Sequence, residues 1–247
     1  MSGQREWAAI KHKKGIADAK RGQKFTKLIK EISVAAKMGG ADPESNARLR
    51  TAVLKARAEN MPKDNIDRAI KKGSGELGAS TFYELTYEGY APGGVAIIID
   101  TLTDNKNRTA ADVRSTLTKL GGSLGATGCV SYMFQTKGIL TYDASKYSED
   151  DIFEAALENG AEDVSNEDGT IEVTTSAADF ANVLEALQAA GFEQESAEVE
   201  KIADTTVQLD TERARKVMRI VDKLEELDDV QQVSTNLDLP DDYEDEE

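Results

Sequence analysis

Between Gly73 and Ser80 the chain reads Gly-Ser-Gly-Glu-Leu-Gly-Ala-Ser, and across this stretch its hydrophobic rhythm changes from helix only to alternating strand and helix. A single core cannot serve both patterns, so the sequence predicts a helical head followed by an α/β body. The charge changes at the same place. Residues 1–75 carry 18 Lys and Arg against 8 Asp and Glu, whereas residues 76–247 carry 12 against 38, within a chain of formal net charge −16. The overall acidity argues against a polyanionic partner, but local charge decides where phosphates dock, and the head is cationic.

In the head, Phe25, Leu28, Ile29, Ile32 and Ala36 recur at helical spacing, predicting a helix over 18–38 that stops at Gly39-Gly40 and leaves Lys20, Lys24 and Lys27 on the opposite face. Asp42-Pro43 predicts the start of a second helix running to about Glu59. After Met61-Pro62 a third is expected over 63–72. Beyond the linker, strands are expected at 82–90 and 94–102 around Ala91-Pro92-Gly93, a helix at 107–120 and a strand at 129–134. Residues 138–201 then read β-α-β-β-α-β, the ferredoxin-like order. A strand at 205–209, a helix at 211–227 and a strand at 230–236 close the pattern. The predicted fold class is α+β multidomain: an N-terminal three-helix domain, then two α/β (ferredoxin-like) sandwich domains, one inserted in the other. The expected limits are 1–77 for the basic domain, 78–135 plus 205–240 for the discontinuous domain, 136–204 for the insertion and 241–247 for a solvated acidic tail.

The composition narrows the chemistry. One cysteine, Cys129, excludes an internal disulfide, and with one histidine the chain lacks the ligands of a usual structural zinc site. That histidine, His12, lies among lysines without an orienting carboxylate, a poor setting for a catalytic triad. Gly121 to Gly128 matches neither a phosphate-binding P-loop nor a dinucleotide fingerprint and reads as a helix-to-strand connection. Asp150-Asp151 and Asp228-Asp229 read as helix starts and turns. No enzyme activity, cofactor or metal is expected, and the remote alternative is an enzyme acting through a pocket of converging carboxylates. The longest aliphatic run, Val95 to Ile99, is far short of a membrane span, and a cytoplasmic location is expected.

The strongest functional signal is the run from Trp7 to Lys27. Six Lys or Arg fall between residues 11 and 24, with an aromatic just before them, a pattern suited to phosphate contacts plus a stacking or wedge side chain. The candidate nucleic-acid contacts are Trp7, Lys11, His12, Lys13, Lys14, Lys20, Arg21, Lys24 and Lys27. Arg108 joins them because it opens a helix whose free amides suit an anion; an Asn or Thr cap with Arg108 on a rim is the alternative. Helices two and three can imitate a helix-turn-helix presenting Asn65, Arg68, Lys71 and Lys72, but Asp64 and Asp67 share that side, and a structural bundle is preferred.

Several separated blocks resemble the YebC family, which includes the mitochondrial translational activator of cytochrome c oxidase subunit one. They are Trp7-Ala8 with Ile10-Lys11-His12-Lys13-Lys14, Asp18-Ala19-Lys20-Arg21-Gly22, Phe25-Thr26-Lys27-Leu28-Ile29, Asp42-Pro43-Glu44-Ser45-Asn46, Asn60-Met61-Pro62-Lys63-Asp64-Asn65-Ile66, Tyr87-Glu88-Gly89-Tyr90, Pro92-Gly93-Gly94, Asn107-Arg108-Thr109 and the acidic block Leu224 to Gln231. The resemblance implies three domains and a non-enzymatic role in gene expression, as a DNA-binding transcriptional regulator or as a translation factor on the ribosome and its RNA. The family usually opens Gly-His-Ser-Lys-Trp-Ala-Asn-Ile; here Gln4, Glu6 and Ala9 replace its histidine, lysine and asparagine, so no contact role is carried onto those three. The acidic domains are expected either to discourage non-specific wrapping or to meet a basic protein partner.

Overall fold

The computed structural model describes residues 18–77 and 81–243, with side-chain surroundings from residue 22 onward. Its head consists of α1 (Asp18–Gly39), α2 (Ala47–Ala58) and α3 (Lys63–Ser74). Ile32, Ala35 and Ala36 of α1 meet Leu49, Ala52, Val53 and Ala56 of α2 and Ile66 and Ala69 of α3 in one core. The α1–α3 crossing is close: Ser33 Oγ donates to the Ala69 carbonyl at 3.0 Å, and a Cβ on Gly73 would lie 2.1 Å from the Ser33 carbonyl oxygen. Only glycine fits there.

The second helix begins four residues later than the expected Asp42-Pro43 start. Asp42 instead closes a turn, accepting from Glu44 N at 3.0 Å, and Asn46 caps the helix by accepting from Leu49 N at 3.1 Å. The Asn46 amide also donates to the carbonyls of Ala35 and Gly40, both at 2.8 Å, so one side chain starts α2 and satisfies the end of α1. This tertiary use outweighs the local preference for Asp42.

The body's first sheet has the order β3-β1-β2-β9. A hairpin of β1 (Tyr83–Ala91) and β2 (Val95–Thr103) turns on Pro92-Gly93-Gly94, both glycines having positive φ, and α4 (Lys106–Lys119) follows. The two-residue β3 (Ser123–Leu124) then pairs with β1. β9 (Val230–Thr235), which follows α7 (Thr211–Glu225) late in the chain, joins the far side of β2. Being central, β2 is buried on both faces: Val95, Ile97 and Ile99 pack under α4 and α7, and Ala96 and Ile98 under Val130. Among the described residues, no helix is long and apolar enough to cross a membrane.

Two expected strands differ. Residues 129–133 form no strand, because Glu88 Oε1 and Oε2 accept from the amides of Gly128, Val130 and Ser131 at 2.5–3.1 Å and leave no ladder partner there. A single strand, β4 (Phe134–Asp143), begins after them. The strand expected at 205–209 shrinks to β8 (Val207–Gln208), which pairs in parallel with β10 (Leu237–Asp238) apart from the main sheet. Tyr243, placed by sequence in the solvated tail, packs on the α4–α7 core.

Between the halves of this sheet, β4, α5 (Glu149–Glu158), β5 (Asp163–Glu167), β6 (Thr170–Ser176), α6 (Phe180–Ala189) and β7 (Ser196–Ala203) form a four-stranded antiparallel sheet of order β5-β6-β4-β7. This is the ferredoxin-like arrangement, with Tyr142, Phe180, Ile152 and Leu184 buried between sheet and helices. The fold is thus a three-helix domain followed by two α/β domains, one inserted in the other.

Replacing Asn46 by Ala should cost about 1–2 kcal/mol, since it removes a cap and two carbonyl contacts. Urea unfolding followed by helix circular dichroism checks this; an unchanged midpoint would place the helix start elsewhere.

Candidate nucleic-acid interface and the contact between head and body

Five cations of the head reach the body. Along α1, Lys27 Nζ donates to the Glu225 carbonyl at 2.6 Å, and Lys30 Nζ to the Asp228 carbonyl at 2.9 Å and Asp229 Oδ1 at 3.3 Å. From α2, Arg48 binds Glu31 within the head and Glu84 of β1, Arg50 Nη2 donates to Asn182 Oδ1 at 2.9 Å on α6, and Lys55 Nζ meets Glu198 Oε2 at 2.7 Å on β7. Two amides complete the seam: Gln23 Nε2 donates to the Glu226 carbonyl at 2.6 Å, and Gln231 Nε2 to the Lys27 carbonyl at 3.0 Å. Gln231 is the extra residue of a β-bulge, the pairing with β2 passing from Gln232 to Val230, and the bulge brings it beside α1.

Asp229 is the centre of this contact. Its side chain is only 7% exposed and accepts from Arg108 Nε at 3.0 Å, Arg108 Nη2 at 2.8 Å, Thr109 Oγ1 at 2.8 Å and Lys30. Burial alone would push this carboxyl up, but the hydrogen bonds from Arg108 and Thr109 and the charges of Lys30 and Arg108 outweigh it and hold it below the usual carboxylate range. Arg108 itself is strengthened as a cation, first by its bond to Asp229 and then by Asp104. Asn105 caps α4 by accepting from Arg108 N at 3.0 Å. The helix start expected to hold a phosphate therefore holds an anion of the chain itself.

Of the sequence-predicted contacts, Trp7, Lys11, His12, Lys13 and Lys14 lie outside the described residues, as do the side chains of Lys20 and Arg21. Lys24 pairs with Glu59 of α2, Lys27 reaches Glu225, and Arg108 is bound to Asp229. Asp228-Asp229 does follow a helix as a turn, yet Asp229 anchors two domains, and neither Lys30 nor Asp229 stood out in sequence. The signal present was the pairing of an acidic block with a helix-opening Arg, which distance in the chain conceals. Exposed cations remain on α3, where Lys63, Arg68, Lys71 and Lys72 share the surface with Asp64 and Asp67.

An open cleft of about 2160 Å³ lies among the three domains. Lys24, Lys27, Arg48 and Lys55 line it, each engaged by an acidic side chain or carbonyl, and so do Glu193, Glu195, Glu200, Asp222, Glu225 and Glu226. Its walls carry more carboxylates than cations, so it repels a phosphate backbone. Among the described residues, no cluster of His, Cys, Asp and Glu is arranged to hold a metal ion.

The match to known proteins covers both halves of this architecture. Residues 5–76 match the family model described as the TACO1/YebC protein N-terminal domain, and residues 82–237 that of the TACO1/YebC second and third domain. The chain belongs to the TACO1/YebC family. A protein of Treponema denticola named "probable transcriptional regulatory protein" is 65% identical over 244 residues, 99% of each chain. A relative of the same name in Geotalea uraniireducens is 55% identical over 239 residues, covering 97% of this chain and 96% of that one. The crystal structure of a conserved hypothetical protein from Aquifex aeolicus, 49% identical, superposes with a TM-score of 0.84 over 96% of this chain and 98% of that chain. The two sequence relatives are thus named as probable regulators of transcription.

Asp229→Asn should destabilise the folded chain by about 2–3 kcal/mol at pH 7, because the bonds from Arg108, Thr109 and Lys30 lose their anion. Urea unfolding measures it, and a variant as stable as the parent would remove Asp229 from the centre of the contact. The pH dependence has a defined sign. Asp229 and Glu88 are both depressed in the fold, Glu88 because its three backbone amides overcome the burial that pushes it up. Their contribution is fully present above the unfolded carboxyl value of about 4 and is lost as pH falls through the lower folded values. Glu88→Gln should flatten that acid limb in thermal melts between pH 6 and 3.

Proposed function

We propose that this protein is a DNA-binding regulator of transcription whose helical head docks on the phosphate backbone. The observation that carries the reading is the cationic head of a family whose members are named transcriptional regulators. Because Lys27, Lys30, Arg48, Arg50 and Lys55 are used in holding the head to the body, the phosphate contacts are assigned to Lys11, Lys13, Lys14, Lys20 and Arg21, with Trp7 and His12 beside them. The exposed cations of α3 add to the positive charge of the head. The role is binding, in the cytoplasm, without catalysis. The acidic domains discourage non-specific wrapping or meet a basic protein partner.

A second reading, a translation activator that binds ribosomal RNA, is favoured by one observation. The exposed face of α3 mixes Asp64 and Asp67 with its cations, a poor surface for reading base edges in a groove. Phosphate contacts alone do not distinguish DNA from RNA.

The triple variant Lys13→Glu, Lys14→Glu, Lys20→Glu should weaken binding to a duplex by at least about 100-fold at 0.1 M salt and lower its salt slope by about three. Fluorescence anisotropy across a salt series checks this, and an unchanged slope would refute the head as the docking surface. A shifted promoter fragment in excess competitor favours transcription; salt-sensitive co-sedimentation with ribosomes favours translation.

A further inference from the structure

Among its described residues, the acidic body gathers cations on one surface. Of the twelve Lys and Arg that follow residue 75, four lie on α4 and five on α7, against one and three carboxylates on the same helices. The two helices cover one face of the β3-β1-β2-β9 sheet, with Val113 and Leu117 of α4 and Val217, Ile220 and Leu224 of α7 turned to the core. Arg108, in the first turn of α4, meets Asp229 just past the end of α7, so the pair runs antiparallel. The solvent side then presents Arg114 and Lys119 on α4 beside Arg215, Lys216, Arg219 and Lys223 on α7, all exposed. Asp222 and Glu225 of α7 line the cleft edge, and Asp222, three residues after Arg219, also borders the cationic side.

We infer that this two-helix layer is a second docking surface, and that its partner is the phosphate backbone of duplex DNA. Arg215, Arg219 and Lys223 repeat every four residues and form one stripe along a helix of about 22 Å. The stripe itself, from Arg215 to Lys223, is about 12 Å long and spans three to four phosphates of one strand at about 3.4 Å each. Lys216 pairs only with Glu212 one turn away, and Lys223 only with Glu226, both exposed contacts that a phosphate displaces readily. The uncharged residues exposed along α4 are Asn107, Ala111, Ser115 and Thr118, none of them aromatic, and the Tyr83 ring beside the helix start is covered by Lys106 Nζ at 4.1 Å from its centroid, which suits a duplex rather than stacked single-stranded bases. The layer contacts backbone and carries no sequence preference. The choice of DNA rests on the function proposed above.

The test uses the full chain and a 30-base-pair duplex, with RNA of the same sequence as the second probe. Arg114, Lys119, Lys216 and Arg219 are changed together to Ala, and in a second variant to Glu, all at exposed positions so that circular dichroism and melting should match the parent. The Ala variant should bind DNA at least about tenfold more weakly at 0.1 M salt, with a salt slope lower by two to four; the Glu variant should lose more. Parent-like affinity and slope in both variants overturn the layer. Loss of RNA binding without loss of DNA binding overturns the choice of DNA. A head variant that binds as well as the parent, while the layer variant does not, overturns the head and supports the layer. A parent protein that binds neither duplex overturns both.

Discussion

The contact between the cations of the head and the carboxylates and carbonyls of the body is the interaction on which the arrangement of this molecule depends. Asp229 is its anchor because it is the one carboxylate there that is buried, hydrogen-bonded on both oxygens and shared between α1 and α4. Half-buried pairs within the head, such as Lys24 with Glu59, contribute little by comparison. A buried carboxylate with an arginine fork and a hydroxyl has no solvent to fall back on, so its partners are held in place. The β-bulge at Gln231 and the end of α7 are fixed to the same point, which sets where α1 lies across the body.

This contact changes what the charge division means. A net positive head on a net negative body looks, in one dimension, like a device for polyanions. In three dimensions part of that charge is internal glue. Lys27, Lys30, Arg48, Arg50 and Lys55 face acidic or carbonyl partners on the other domains, and the N-terminus of α4, a natural phosphate site, is filled by Asp229. What is left for an external partner is narrower than the count of 18 suggests, and the walls of the central cleft are mainly acidic.

Much of the fold was legible because its signals are local. Helical spacing marked α1 and α3, the Pro-Gly-Gly turn marked the hairpin, and the β-α-β-β-α-β order of the insertion followed from period alone. The failures share one cause. Residues 129–133 resemble a strand, yet their amides go to Glu88, some forty residues earlier. The start of α2 moved because Asn46 serves α1 as well. Arg108 was recognisable as an anion-binding residue, but not that its anion was Asp229, 121 residues away in the chain. Long-range pairing of polar groups leaves no periodic trace, so residues that join domains were the ones sequence reading missed.

The acidity of the body also has a directional consequence. At physiological ionic strength charges are screened beyond about 8 Å, so an approaching polyanion senses local patches rather than the net charge of −16. Carboxylates line the cleft and the strands of the inserted domain, and cations gather on the head and on the outer side of α4 and α7. Those two surfaces are connected through Asp229, since the same carboxylate holds Lys30 of α1 and Arg108 of α4. An anchor that fixes the angle between head and body therefore fixes the angle between the two cationic surfaces.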